Sequence, residues 1–432
     1  MSEKRNHRDH LLDTLQQESF EYFLHEVNPA NGLVLDRTEP GAPASIAAVG
    51  LALSAYPIGV ERGFMTRGDA VQRTLTTLRF FRDAPQGPAP SATGYKGFYY
   101  HFLDLQTGLR ACEYELSTVD TALLLAGMLA AAAYYTQDSE DEHEIHKLAD
   151  ELYLRVDWQW AQNGGATVTH GWTPERGFLP YRWEGYDEAL ILYMLGLGSP
   201  TYPLPPESYA AWCSTYEWRK VYDYEYLFAG PLFTHQFSHV WIDFRGIQDR
   251  FMREKQIDYF ENSRRATHAQ QEYAVRNPGD FDGYNAYCWG LTASEGPGPA
   301  THSIRGRERT FFDYVARGVP DGPDDGTVAP WAVATSLPFA PDIVIPSLEH
   351  LVHGLKIKQG HRYGFKSTFN PTFPDSSGKV YGWMSKWHYG INQGPVALMV
   401  ENFRSGLLWN LMRQCPYLTA GLRRAGFTGG WL

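Results

Sequence analysis

The sequence predicts an all-α fold, an (α/α)6 toroid in which an inner ring of helices is wrapped by an outer ring. Three observations predict it. Helical periodicity runs nearly throughout the chain. Helices that are apolar on every side alternate with amphipathic ones. Strand-like stretches are few and local. A helix apolar all round must be buried on all sides, whereas an amphipathic helix keeps one wet face. Alternation of the two is what two concentric rings require. A length of 432 residues would allow two or three domains. No stretch reads as a flexible linker, so a single catalytic domain spanning 1–432 is expected. A solenoid would need a repeat of fixed period, and none is found.

The elements follow in order. Asp9 to Val27 is amphipathic, with Leu12, Leu15, Phe20 and Phe23 on its apolar side. Asn28 to Pro43 is a Gly/Pro loop carrying Asp36 and Arg37. Ala44 to Tyr56 is an inner helix stopped at Pro57 to Gly59. Thr66 caps a helix running to Arg82, with Asp69 at the capping-box position. A loop from Ala84 to Leu109 holds strand-like patches in GYKGFYYHFLDLQTG. Glu115 to Tyr135 is the second inner helix, and Glu140 to Trp160 its charged outer partner. Gly185 to Leu197 is inner again, and Pro206 to Tyr216 is shorter and more polar. His235 to Arg253 and Asp258 to Arg276 form a further pair. Asn277 to Gly326 is loop-like. Thr327 to Leu337 and Pro341 to Leu355 make a short pair, Tyr363 to Gly390 is an aromatic loop, and Ile391 to Arg413 closes the chain.

Composition narrows the ligand. Net charge is −11, with no Lys/Arg cluster, which argues against nucleic acid or an anionic membrane surface as partner. Aromatic residues make up 15%. That exceeds what a core needs and suits the faces of sugar rings. Cys112, Cys213, Cys288 and Cys415 are scattered without CxxC or Cys/His spacing, so they read as separate reduced thiols. The most apolar run, Ala122 to Tyr135, is too short to span a bilayer. The N-terminus has basic residues but no apolar stretch. A cytoplasmic protein is expected from the chain as given, and a periplasmic one if a leader has been removed. Phosphate-binding, dinucleotide-binding and nucleophile-elbow motifs are absent.

The chemistry that remains is carboxylate chemistry. Glycoside hydrolysis needs two carboxyls flanking the bond, roughly 6.5–9.5 Å apart for inversion and roughly 5–5.5 Å for retention. Acids at the mouths of apolar helices with ring neighbours are the candidates. Glu188 lies between Trp183, Tyr186 and an apolar helix, and is preferred over Glu184, which can pair with Arg182. Asp120 lies within an otherwise apolar helix, where an acid needs a purpose or an Arg or Ser partner. Glu295 sits in the irregular loop WGLTASEGPGP. Glu115 reads as a helix-start acid. Glu401 reads as a structural acid paired with Arg404 one turn on. His235 and His239 stand at helical i, i+4 spacing, but Gln236 occupies the place of the acid that a catalytic zinc helix requires. No metal and no cofactor are expected. Asp36, Arg37, Trp183, Tyr186, His235, Gln236, His239 and Trp241 are expected to bind substrate hydroxyls and rings. GDFDG and DGPDDG lack calcium-loop spacing and read as turns.

Eight blocks in order resemble the bacterial glucoamylase-like domain family, which includes glycoside hydrolase family 144, the β-1,2-glucan-degrading enzymes. They are ASIAAVGLALSAYPIGVERG, GFYYHFLDLQTG, ELSTVDTALLLAG, WEGYDEALILYMLGLGSPTYPLP, PLFTHQFSHVWIDFRGIQD, DYFENSRRATHAQQEYA, WGLTASEGPG and NQGPVALMVENFRSGL. The resemblance covers roughly Asn31 to Phe427. It implies a toroid of the same kind and hydrolysis of β-1,2-glucan or sophoro-oligosaccharides. It places the general acid on Glu188, with Asp120 or Glu295 as its partner. Inversion is the outcome we expect. A transglycosylase and a non-catalytic glucan-binding protein are the rival expectations.

Overall fold

A computed structural model describes residues 2–375 and 378–432, with side chains from residue 8 onward. The chain divides into two compact units, each assembled from three stretches. One comprises Tyr22–Tyr216, Ser238–Tyr259 and Ser405–Leu432; the other comprises Met1–Glu21, Glu217–Phe237 and Phe260–Arg404.

The first unit follows the expected alternation. The helices Ile46–Glu61, Thr118–Tyr134 and Leu190–Gly198 are buried along almost their whole length. They pack in a row, with Pro416–Arg424 against the last of them. The amphipathic helices Arg67–Asp83 and Glu140–Leu154 pack on this row and on each other. Thr66 caps the former, accepting from the Asp69 amide as expected. Arg67 joins the two through Glu142 at 2.8 Å.

Small residues set how closely the inner helices approach. A Cβ on Gly127 would lie 2.0 Å from the Gly50 carbonyl oxygen, and one on Gly50 would lie 2.3 Å from the Leu123 carbonyl oxygen. Backbone meets backbone there. The same device recurs where a Cβ on Gly421 would run into the Met194 carbonyl oxygen.

Short strands lie at the helix starts. Gly94–Tyr95, Phe98–Tyr100, Leu116–Ser117, Gly171–Thr173 and Gly177–Phe178 pair as one antiparallel sheet in that order. Ala44–Ser45 pairs separately with Phe102–Leu103. Both Ser45 and Ser117 are then helix N-caps, so a strand residue becomes a cap without an intervening loop.

The second unit holds the helices Pro330–Thr335, Pro341–Glu349 and Gly390–Arg404, together with most of Ser2–His25 and Tyr259–Arg276. Hairpins such as Ala300–Ile304 with Arg307–Phe311 fill the long loop expected between Asn277 and Gly326. Arg317 and Asp325 form an ion pair at 2.8 Å, both fully buried. Asp324 accepts from the hydroxyls of Tyr273 and Tyr284. The run DGPDDG is thus a buried polar anchor rather than the simple turn expected. Glu401 accepts from the Gln16 amide at 2.8 Å, while Arg404 reaches Gln16 and Asp13. The expected Glu401–Arg404 pairing is therefore redirected through the N-terminal helix.

Other expectations shift as well. The first inner helix runs through Pro57 to Glu61, because Pro57, Ile58 and Gly59 are all buried, and packing outweighs one lost ladder bond. The stretch expected as a helix from His235 to Arg253 is two 3-10 turns, Leu232–His235 and Phe237–Val240, then a short helix, Arg250–Lys255. His235 and His239 consequently do not share a helix face. The final helix stops at Arg404, with Gly406 at φ 68°, and two short helices follow. All four cysteines are free, with Cys288 and Cys415 buried. No helix among the described residues is long and apolar enough to cross a membrane.

Two substitutions check these contacts. Gly127→Ala forces the inner helices apart and should cost about 1–3 kcal/mol despite the better helix former, read as a lowered Tm by circular dichroism. Arg317→Met leaves the Asp325 charge buried alone and should cost about 3–5 kcal/mol by urea denaturation.

Candidate active site

The first unit gathers acids where its buried helices begin. Ser117 caps Thr118–Tyr134, and its Oγ accepts from the Asp120 amide at 3.2 Å while donating to Asp120 Oδ2 at 2.5 Å. Asp120 lies within this apolar helix as expected, in its first turn at the capping-box position. It is buried, at 6% exposure. Its Oδ2 takes the serine and faces a histidine; among the described residues no partner occupies Oδ1.

That histidine, His101, is a site residue that sequence reasoning missed. Its Nε2 lies 3.5 Å from Asp120 Oδ2, and its Nδ1 lies 2.9 Å from Glu115 Oε1. Its ring stacks on Phe102 at 4.0 Å. Burial alone would pull the imidazolium down, but the charges of Asp120, Glu115 and Asp36 outweigh burial and hold it up to about 9. Glu115 precedes the helix as expected of a helix-start acid, yet its carboxyl is spent on His101. Burial opposes its ionisation, while the His101 hydrogen bond and charge carry it below the usual range.

Asp36 faces the same group. Burial raises its carboxyl, and Arg37 at 3.1 Å and His101 moderate the rise. Asp120 adds to it. Arg37 also pairs with Glu39, so Asp36 and Arg37, expected as hydroxyl ligands, lie in a local clamp of charges.

Glu188 stands two residues before Leu190–Gly198. Its side chain is half-buried. Desolvation pushes the carboxyl up to about 7, offset in part by its own backbone amide and reinforced by the negative field of Asp120. Asp187 beside it is also driven well above the carboxylate range, first by burial and then by Glu188. Asp187 accepts from the Ala189 amide at 2.9 Å and the Trp212 indole at 3.2 Å, which fixes the approach to the helix. Asp187 is a second acid directly before the apolar helix, where adjacency to Glu188 in the sequence marks it. Glu184 accepts from Thr167 at 2.9 Å, and Arg182 donates to the backbone carbonyls of Thr167 and Gln162 instead of pairing with Glu184.

The rings around this group do more than line it. Trp183 is buried at 8% exposure, stacks on His170 at 3.8 Å and donates to Thr118 Oγ1 at 3.0 Å. Its face is covered by the histidine. Tyr186 packs on Tyr216 and Tyr259, whose hydroxyls are hydrogen-bonded to each other at 2.9 Å. Trp241 is fully buried and donates to Ser54 at 2.9 Å. His239 is buried against Phe244, and its carbonyl accepts from Trp409. In this structure Trp241 and His239 are packing residues, contrary to expectation, because the chain there turns inward instead of forming a long helix.

Three other expected site residues lie in the second unit. Glu295 accepts from the hydroxyls of Ser385 and of Tyr389, the latter at 2.7 Å. Its carbonyl accepts from Thr368, and Arg317 holds the carbonyl of the preceding Ser294 at 2.6 Å. His235 is buried and bonded to the Ala229 carbonyl, and desolvation lowers it to about 4, so the ring is neutral. The Gln236 amide donates to the Ala332 carbonyl and to Ser336, both at 2.7 Å. It is a core tie, not a sugar ligand, since its burial is complete. Among the described residues no group of three or more His, Cys, Asp and Glu side chains is arranged to hold a metal ion.

The chain as a whole is similar to known proteins. The chain is 29% identical, over 96% of its length, to the exo beta-1,2-glucooligosaccharide sophorohydrolase (non-reducing end) of Parabacteroides distasonis, and it spans 58% of that relative. It superposes on the endo-beta-1,2-glucanase of Chitinophaga pinensis with a TM-score of 0.85 at 26% identity, covering 98% of this chain and 99% of that one. For a protein of Bacteroides uniformis described as a putative glucoamylase, the TM-score is 0.86 at 30% identity, over 98% of both chains. The expected all-α, glucoamylase-like class is thereby borne out. A family model described as "Putative glucoamylase" matches residues 180–416, more than half of the chain and inclusive of Glu188 and Glu295, and the chain belongs to that family.

Proposed function

We propose that this protein is a glycoside hydrolase acting on β-1,2-glucan or sophoro-oligosaccharides, with both units serving one catalytic domain. The observation that carries the chemistry is the pairing of unlike carboxyls in one unit. Glu188 is half-buried and held near 7 by desolvation, so at neutral pH a large fraction carries the proton a leaving glycosidic oxygen needs. Asp120 lies under the positive charge of His101 with one carboxylate oxygen open. Two carboxyls whose surroundings differ in this way divide into an acid and a base. The activities of the Parabacteroides and Chitinophaga relatives support the substrate class.

In this reading Glu188 protonates the departing oxygen and Asp120 takes a proton from the attacking water. The water enters on the opposite face of the ring, so the anomeric centre inverts. Glu295, with its oxygens held by Ser385 and Tyr389, is assigned to holding its loop and accepting from a substrate hydroxyl. Asp36 and Arg37 remain proposed hydroxyl ligands. Tyr186, backed by Tyr216 and Tyr259, remains the proposed ring contact.

Because the acid must be protonated, activity should be full below about 7 and fall as pH rises through that value. Glu188→Gln should lose about 10²-fold or more in kcat on linear β-1,2-glucan, followed as new reducing ends, and should abolish the alkaline limb. Near-normal turnover by that variant would end the assignment. Tight binding by the native protein without product would instead indicate a glucan-binding protein. Freshly released product followed by NMR reads the anomer.

A further inference from the structure

We propose that His101 is a positioning residue for the catalytic pair: its ring bridges Glu115 and Asp120 and fixes the base carboxylate. The proposal rests on the reading of Asp120 as the base.

The backbone leaves His101 little freedom. Phe98–Tyr100 pairs with Leu116–Ser117 on one side, with Tyr99 opposite Ser117. Phe102–Leu103 pairs with Ala44–Ser45 on the other, with Phe102 opposite Ser45. His101 is the one residue between these ladders. Its amide donates to the Glu115 carbonyl at 2.9 Å, and its carbonyl accepts from the Ile46 amide at 3.3 Å. The ring is then clamped by the stack on Phe102. The two helix caps, the histidine and Asp120 thus form one rigid piece.

The charges around it are specific. Asp36 comes from the loop after the first helix, Glu115 from the approach to the sheet and Asp120 from the helix start. Arg37 lies beyond Asp36, and Arg110 beyond Glu115. The charge of Asp120 is felt at Glu188. Without a cation, Asp36, Glu115 and Asp120 would repel one another, and some of that strain would be relieved by protonation. His101 cancels the repulsion at its centre. It holds about 9 against burial, so it stays charged throughout the range in which Glu188 gives up its proton.

The roles separate by experiment. His101→Gln keeps a donor toward Glu115 but removes the charge. It should lower kcat by about 10-fold or more with KM within about twofold, and move the acid limb of kcat/KM to higher pH by about one unit. A profile that superimposes on the native one, or a uniform loss with unmoved limbs, would overturn the proposal. A second measurement does not need activity. The His101 ring, followed by NMR in the intact protein, should titrate near 9 and fall by about one unit or more in Asp120→Asn. An unchanged titration in that variant also overturns it. If Asp120→Asn remains active while the titration shifts, the base assignment fails although the ion pair stands.

Discussion

Everything at the candidate site hangs on how one short stretch, Phe98 to Leu103, is stitched to two helix starts. It pairs with the residues leading into Ser117 and with those leading into Ser45. Each serine ends a strand and caps a helix. The helices themselves touch backbone to backbone at Gly50 and Gly127, where no side chain intervenes to slip or repack. Capping, strand register and close helix contact therefore fix the same three elements from three directions. A small error in any of them would displace Asp120, since its carboxyl is held by the cap serine itself.

That rigidity matters because the chemistry depends on environment more than on residue type. Asp120 and Glu188 are both carboxyls near the starts of buried helices. One lies beside His101, a half-buried cation; the other is half-buried, with its own amide as partner, a second acid before it and, among the described residues, no ion pair. Desolvation favours the neutral form and an adjacent positive charge favours the ionised one. Mobile surroundings would average these differences away. The supporting tyrosines, Tyr209 and Tyr259 on Asp249 and Tyr216 on Tyr259, extend the same stiffness behind Tyr186.

Some of this could be read directly from the residues. The apolar runs from Ala44, Thr118 and Ala189 onward are buried helices because no solvent-tolerant face exists in them. The Thr66 cap followed from a local rule and is present. Glu188 was legible because its acid precedes an apolar helix among rings. Asp120 was legible as costly, although Ser117 as its partner emerged only with the cap. Other readings failed for physical reasons. The i, i+4 spacing of His235 and His239 implied a helix, but local spacing carries no information about whether tertiary packing permits one. Trp183 looked like a platform for a sugar, and His170, from the preceding strand region, stacks on it, which spacing alone does not reveal. Arg404 was matched to the nearest acid on its helix, whereas Gln16 from the other end of the chain outcompetes it.

By itself, then, the sequence determined the helical class, the buried and the half-wet helices, the acids with no cheap explanation, and the resemblance to an enzyme family. These follow from periodicity, capping and the cost of burying charge, all of which act over a few residues. Only the tertiary structure decided which acids share an environment. It brought His101 between Glu115 and Asp120, redirected Glu401 to Gln16, and desolvated Glu188 while leaving Asp120 beside a cation. Electrostatic character is set by neighbours within a few ångströms, and those neighbours come from stretches far apart along the chain.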